Sequence, residues 1–352
     1  MSVHANRAAY VRSPWQFELR EAPLPDPGPG QLLLEVAACA VCGTDFHVAD
    51  RQAPDWQPFG HEVSGVVRRV GEGVTRFVPG DRVALDSSAP CGRCEVCLPP
   101  PQGRGRPELC RSVATYWGSP AMGYSERLLT PQECAVHVPD SVPLDVASLV
   151  EPLGVSLDLV QVAEVRHGDH VLVIGPGPLG LGAVALARRA GAERVLLAGR
   201  SHSAARLQAG LALGADGLIE VDRRPLAEPF AARRPDKILV TASPGVIPEA
   251  LGLAAYGGIV AYIGVAWSPD AIVEIDADQL HFSKLSLRSS MASPGLHAAS
   301  TARLLETLPE LGERLISHRF ALDDLPQAFA TGRSAEAKPQ VVKMVMVGEG
   351  AE

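Results

Sequence analysis

Over the first third of the chain, apolar and polar positions form short runs punctuated by Pro and Gly. Examples are Gln31-Leu32-Leu33-Leu34-Glu35-Val36-Ala37 and Glu62-Val63-Ser64-Gly65-Val66-Val67-Arg68-Arg69-Val70. Such runs, divided by clusters like Pro23 to Gly30, predict strands and a mostly β region. From about Val171 the pattern changes. Short apolar segments at Val171 to Ile174, Arg194 to Ala198, Lys237 to Val240 and Ile259 to Ile263 alternate with Ala- and Leu-rich helical segments at Leu179 to Ala190 and Ala204 to Leu213. That βαβ alternation predicts a parallel, doubly wound sheet with helices on its faces, so the fold class is α/β. A tail from about Ser290 holds a helix candidate, Ala299 to Leu308, and a last strand, Gln340 to Val347. The chain has no internal repeat.

Length agrees with two cores: the chain has 352 residues, and single cores stop growing near roughly 250 to 300 residues. Apolar residues make up 46% and charged residues 20%, the composition of a soluble globular protein. A formal charge of -8 gives nucleic acid or an anionic membrane no electrostatic foothold. The segment Met1 to Glu21 lacks an apolar core of signal-peptide length, and seven cysteines in such a chain favour a reducing compartment, so the expectation is cytoplasmic.

Two local motifs carry chemistry. Val171-Leu172-Val173-Ile174 runs directly into Gly175-x-Gly177-x-x-Gly180 and then a helix. In a dinucleotide-binding turn the glycines serve the tight bend, the close approach of pyrophosphate and close helix packing. One strand later, where an NAD enzyme places an acid for the ribose 2′-hydroxyl, the chain reads Gly199-Arg200-Ser201-His202. Glycine there leaves room for a 2′-phosphate, Arg200 pairs with it and Ser201 donates to it, so NADP(H) is preferred and NAD(H) remains open. The second motif is Cys91-x-x-Cys94-x-x-Cys97 followed by Cys110, the ligand type and spacing of a closed tetrahedral zinc site. Leu98 to Pro107 separates the last two of these cysteines and predicts a flexible bulge.

Together with Cys42-Gly43-Thr44-Asp45 and Gly60-His61-Glu62, these motifs resemble the zinc-containing medium-chain dehydrogenases of the alcohol, sorbitol and threonine dehydrogenase group. The likeness extends over nearly the whole chain. It implies a GroES-like β domain at 1–152 and 291–352, a Rossmann cofactor domain at 153–290, and two zincs per chain. Cys42 and His61 would supply a thiolate and an imidazole to an open catalytic zinc. Where liver-type enzymes have a second cysteine, this chain has Val150-Glu151-Pro152, which is similar to the polyol and threonine branch. There the carboxylates of Glu62 and Glu151 share the metal, and the direct ligand is left open between them.

By the same resemblance Thr44 takes the substrate proton and His47 passes it to solvent. Pro178, Leu179 and Val265 join the cofactor contacts, and Trp56, Thr115-Tyr116-Trp117 and Ser290-Met291 lie near the substrate pocket. Tyr116 and Trp117 either stack on the substrate or pack beneath the zinc lobe. The expected reaction interconverts a secondary alcohol and a ketone. Polyols, amino-polyols and aminocyclitols suit this branch, which also resembles inosamine dehydrogenases. A primary-alcohol dehydrogenase or aldehyde reductase is the alternative on the same site, and a non-catalytic cofactor-binding protein the alternative from another class. The resemblance further implies a homodimer or homotetramer, and no nucleic-acid or membrane partner is expected. Cys39 and Cys134, without partner spacing, are expected in the core.

Overall fold

The computed structural model describes residues 3–348, and its chain divides into two compact units. Among the described residues the first comprises 3–154, 292–334 and 343–348, the second 155–291 and 335–342. The tail after 291 therefore does not stay wholly with the first unit, as the sequence suggests. Residues 335–342 cross to the second, where Arg206 on the helix Ala204–Ala212 donates to the carbonyl of Val341 at 2.7 Å. Accordingly the last strand begins at Lys343 rather than Gln340, after a short 3₁₀ turn at Lys338–Gln340.

The first unit is built on a seven-stranded sheet. At its centre Gln31–Ala40 pairs antiparallel with Glu62–Val70 on one side and Lys343–Val347 on the other, and along part of its length with Arg127–Pro131. Leu32, Leu33, Leu34, Ala38, Cys39 and Ala40 are almost fully buried, which explains why this strand reads as a nearly continuous apolar run. Cys39 and Cys134 both lie in the core, at 1% exposure each.

The second unit carries a six-stranded sheet, parallel throughout, in the order Gly217–Glu220, Arg194–Gly199, His170–Ile174, Lys237–Val240, Ile259–Tyr262, Ser286–Ser289. In sequence order of strands this is 3-2-1-4-5-6, with the topological switch between His170–Ile174 and Lys237–Val240, where doubly wound sheets bind ligands at the strand carboxyl ends. The helices Pro178–Arg189 and Ala204–Ala212 lie within two residues of the spans read from periodicity. Gly217–Glu220 and Ser286–Ser289, the two sheet edges, are only partly apolar and carry little of that signal. No helix among the described residues is long and apolar enough to cross a membrane.

Candidate functional site

Antiparallel register brings three distant segments to one end of the central sheet of the first unit. Ala40 lies opposite Glu62, and Val345 opposite Ala40; the Val41 amide donates to the Met344 carbonyl at 2.9 Å. Cys42, His61-Glu62 and Lys343 therefore converge. Cys42 caps the short helix Gly43–His47, and its amide donates to Asp45 Oδ2 at 2.9 Å. Tyr124 donates its hydroxyl to the same carboxylate at 2.6 Å. The other Asp45 oxygen stands 3.6 Å from His61 Nδ1 and orients the ring.

Ligand atoms of Cys42, His61 and Glu62 lie within 4.8 Å of one another. His61 Nδ1 and Glu62 Oε2 are buried and make no hydrogen bond, although Nδ1 faces Asp45 at 3.6 Å and Oε2 ion-pairs with Lys343 at 2.5 Å. A thiolate, an imidazole nitrogen and a carboxylate oxygen facing each other are a donor set that zinc accepts, so these residues fit the metal. Burial alone would push His61 toward its neutral form, but the Cys42 thiolate and Asp45 outweigh it and the net shift is upward.

Sequence reasoning missed Lys343. It is one of four lysines in the chain, and its ammonium lies 2.7 Å from Glu62 Oε1 and 2.5 Å from Oε2, with side-chain exposures of 4% and 1%. Burial penalises the ammonium most strongly, yet Glu62 and Cys42 reverse the sign and the charged form is favoured. Lysine sits mid-pattern in a strand whose neighbours are Val, Met and Val. The only available signal was a charged residue inside an otherwise apolar run, which requires a buried partner.

Glu151, near the start of the helix Val150–Val162, stands outside the close Cys42, His61 and Glu62 set. Its pKa is pushed up to about 8, first by burial and then, against the pull of His61, by the like charges of Glu62 and Asp86. Thr44 and His47 lie three residues apart on the Gly43–His47 helix, both partly buried, a spacing that puts them on one side of a turn.

Of the expected pocket walls, Tyr116 is buried at 2% exposure and gives its hydroxyl to the His61 carbonyl at 2.7 Å, whereas Trp117 is 50% exposed with its ring 5.5 Å from the His61 ring. Trp117 and Met291, the latter 78% exposed, keep open faces. Trp56 lies against the guanidinium groups of Arg12 and Arg20, at 4.9 Å and 4.5 Å from its ring.

In the zinc lobe, four sulfurs stand 3.4 to 4.0 Å apart along the contacts Cys91 to Cys97, Cys94 to Cys97, Cys94 to Cys110 and Cys110 to Cys91. Four thiolates on a zinc with bonds of about 2.3 Å require separations near 3.8 Å. Backbone N–H donation from Arg93 leads in pulling the Cys91 thiol down to about 6, while desolvation pushes Cys97 up to about 12. The intervening segment is not the loose bulge that its composition suggests. Amides of Gly103, Arg104, Gly105 and Arg106 donate to the carbonyls of Pro99, Glu95, Leu98 and Val96. A side chain at Gly103 would collide with the Glu95 and Leu98 carbonyls. The loop folds back over the stretch that bears Cys94 and Cys97, and this return pairing is invisible to composition.

In the second unit, Gly175 has φ +116°, and a Cβ there would meet Thr241 Oγ1 and the Ala242 amide. At Gly180 a side chain would overlap the Gly175 carbonyl, while Gly177, which caps the helix Pro178–Arg189, opens onto free space. That division of labour among the glycines suits a pyrophosphate at the helix N-terminus. Thr241 secures the turn by donating to the Gly175 carbonyl at 2.9 Å.

Gly199 proves to be required by packing, since a Cβ would strike the Pro176 ring. Arg200 is exposed. The Ser201 hydroxyl and amide both donate to Asp222, at 2.6 and 2.8 Å, so the hydroxyl expected to serve a 2′-phosphate is already held by a carboxylate. Asp222, 21 residues past Ser201, went unnoticed because it follows the next strand, Gly217–Glu220, rather than Arg194–Gly199. Val265 lies just after Ile259–Tyr262 and is 56% exposed.

Comparison with known proteins agrees with this architecture. Residues 28–140 match the alcohol dehydrogenase GroES-like domain and residues 178–308 the zinc-binding dehydrogenase model, together more than half of the chain. An L-threonine 3-dehydrogenase of Anaeromyxobacter dehalogenans is 28% identical over 337 residues, covering 90% of this chain and 92% of its own. An alcohol dehydrogenase (rspB) from E. coli CFT073, solved with NADH, has a TM-score of 0.86 at 27% identity over 98% of this chain and 99% of its own. A zinc-binding dehydrogenase from Sinorhizobium meliloti 1021 bound to NADP has a TM-score of 0.85 at 28% identity, with coverages of 98% and 99%.

Proposed function

Since the chain belongs to the zinc-containing medium-chain dehydrogenase family, and is thus an alcohol-dehydrogenase-type oxidoreductase using zinc and NAD(P), we propose that it interconverts a secondary alcohol and its ketone, with NADP(H) preferred. The observation that carries this reading is the gathering of a thiol, an imidazole and a carboxylate, Cys42, His61 and Glu62, whose ligand atoms lie within 4.8 Å of one another at the buried end of the sheet. L-threonine, the substrate in the names of several relatives, is itself a secondary alcohol, and polyols, amino-polyols and aminocyclitols share that group.

When bound, zinc supplies Lewis acidity to the alcohol oxygen and the nicotinamide supplies the hydride acceptor. Cys42, His61 and Glu62 would hold the metal, Asp45 keeps the His61 ring in orientation, and Lys343 holds the Glu62 carboxylate in place through both of its oxygens. Glu151 acts from just outside that set, in reach of the same centre. Thr44 accepts the hydroxyl proton and His47, one helical turn on, delivers it toward solvent. The thiolates of Cys91, Cys94, Cys97 and Cys110 fill a second zinc that staples its loop and has no open position.

For the cofactor, Gly175, Gly177, Pro178, Leu179 and Gly180 would hold the pyrophosphate and Val265 would join the dinucleotide contacts. Arg200, exposed and unencumbered by a carboxylate, supports a 2′-phosphate contact, while the Ser201 pairing with Asp222 works against it. A reducing compartment, the cytoplasm, suits seven free thiols, and the exposed Trp267 and Ile272 in the second unit suit an oligomer, a dimer or tetramer.

The test is zinc content per chain with NADPH and NADH titrations and initial rates on matched secondary and primary alcohols. Two zincs, tighter NADPH and secondary-alcohol turnover are expected. Fewer than two zincs, or turnover confined to primary alcohols and aldehydes, would overturn the reading.

A further inference from the structure

The turn that follows the Gly43–His47 helix is held by a hairpin distant from it in sequence. Arg7–Arg12 and Gln16–Glu21 pair antiparallel, and the residues between them close over 48–53. The Ser13 hydroxyl donates to the Val48 carbonyl at 2.8 Å and accepts from the Ala53 amide at 2.9 Å, while the Ser13 amide donates to the Ala53 carbonyl at 2.7 Å. The Trp15 amide donates to the Ala49 carbonyl, also at 2.7 Å. The clasped stretch Val48–Gln52 is a π-helical turn, a rare geometry that occurs frequently at functional sites.

Trp15 itself has φ +56°, a left-handed conformation that is an outlier for a bulky side chain. Glycine or asparagine would adopt it with less strain, so the position keeps its tryptophan for the sake of the ring. The indole N–H donates to Asp50, the ring meets Phe46 edge-on at 6.2 Å, and the Arg333 guanidinium covers it at 3.7 Å. Arg333 ends the helix Leu325–Arg333, which also packs on Phe46: Phe329 lies 4.9 Å from that ring, and a Cβ at Gly332 would strike it. Contacts of Trp15 at 46, 49 and 50 thus bracket His47. That residue needs outside support, since among the described residues no hydrogen bond fixes its ring. A ring that takes up and hands on a proton in every turnover needs its nitrogens free for those transfers, so its aim comes from the backbone that carries it.

We infer that Trp15 is a positioning residue for proton release: with Ser13 it fixes the backbone from 46 to 53 and so the direction in which the His47 ring points. This rests on His47 as the exit for the substrate proton, and on no particular class of alcohol. Cys42 is held separately, through Asp45 and Tyr124, so loosening the hairpin clasp spares the metal site.

The experiment follows the proton released on alcohol oxidation, by stopped flow with phenol red, in the zinc-loaded enzyme with saturating cofactor and whichever of 2,3-butanediol and 1-butanol it oxidises. Trp15→Gly, which relieves the backbone and removes the ring, should slow proton release about 3- to 30-fold while the alcohol KM stays within about twofold, the signature of a displaced transfer group rather than of lost substrate binding. Ser13→Ala should show the same signature more weakly, and it carries the test should the glycine variant fail to retain zinc. Trp15→Phe, which keeps a ring against Phe46 and Arg333, should recover most of the rate. Introduced into a His47→Gln protein, itself slow, Trp15→Gly should change the rate by less than about twofold, because residues that act through one another do not add. An equal further slowing in both backgrounds, or none in the protein that retains His47, overturns the inference and leaves the His47 relay standing. Wild-type proton release in the His47→Gln protein removes the relay and the inference together.

Discussion

Replacing Lys343 by Met tests the electrostatic frame of the metal site. The ammonium and the Glu62 carboxylate are 2.5 to 2.7 Å apart and almost wholly shielded from water. At an effective dielectric near 20 their attraction is about 6 kcal/mol, most of which offsets the cost of burying two charges. The pair as a whole therefore adds little stability, but half of it is dear to remove. Lys343→Met keeps an unbranched side chain one atom shorter, without the charge, and strands Glu62, for an expected loss of about 3 to 5 kcal/mol. Zinc at the site meets the same charge, so the loss should be largest in protein depleted of catalytic metal and smaller once zinc is restored. Urea unfolding at fixed metal content measures both. The double variant Lys343→Met with Glu62→Gln, which removes the stranded charge, should recover more than half of the deficit. A single variant within about 0.5 kcal/mol of wild type without metal, or a double variant no more stable than the single, would refute the reasoning.

Arg200→Ala should weaken NADPH binding by roughly 1 to 3 kcal/mol with little effect on NADH; equal losses in fluorescence titrations of the two cofactors would exclude a phosphate contact. Asp222→Asn removes the carboxylate that holds Ser201 and should tighten NADPH relative to NADH, and an unchanged ratio would show that Ser201 plays no part. Glu151 has a folded-state pKa of about 8 against an ordinary value of 4.5. The native state therefore keeps a proton that the unfolded chain gives up, and stability is lost as pH rises through this window. Glu151→Gln in metal-depleted protein should flatten the decline in urea midpoint between about pH 5 and 8, and a wild-type midpoint that rises relative to the variant over that range would contradict it. Deleting residues 99–104 removes the carbonyl of Pro99 and the amides of Gly103 and Arg104 that tie the loop back on itself. Chelator challenge should strip the four-cysteine zinc faster from the deleted protein, and equal release rates would show the loop to be a passenger.

The sequence was most legible where chemistry is local. The Rossmann turn and the Cys91 to Cys110 clip keep their working atoms within about twenty residues, so spacing alone reports them. The sequence pattern likewise located Glu62–Val70 and Lys237–Val240 to the residue, the first as β-branched positions ending in exposed arginines and the second as a short apolar run. It was weaker for the compact return of 103–106 and for Tyr116, whose buried hydroxyl bond to His61 looks in sequence like any aromatic beside an exposed one.

What the chain determined by itself was its class of fold, its glycine cradle, the clip cysteines and the candidates Cys42, His61, Glu62 and Glu151. Only the tertiary structure decided how their charges are balanced. Lys343 meets Glu62 across 281 residues of sequence, Asp222 claims Ser201 from the turn after a neighbouring strand, and Asp86, packed against Gly295, is met by the charges of His297 and His61. The physical reason is common to all three. A ligand type or a turn glycine announces itself by identity and spacing, whereas the cost of a buried charge depends on which groups strand register and chain return bring within a few ångströms.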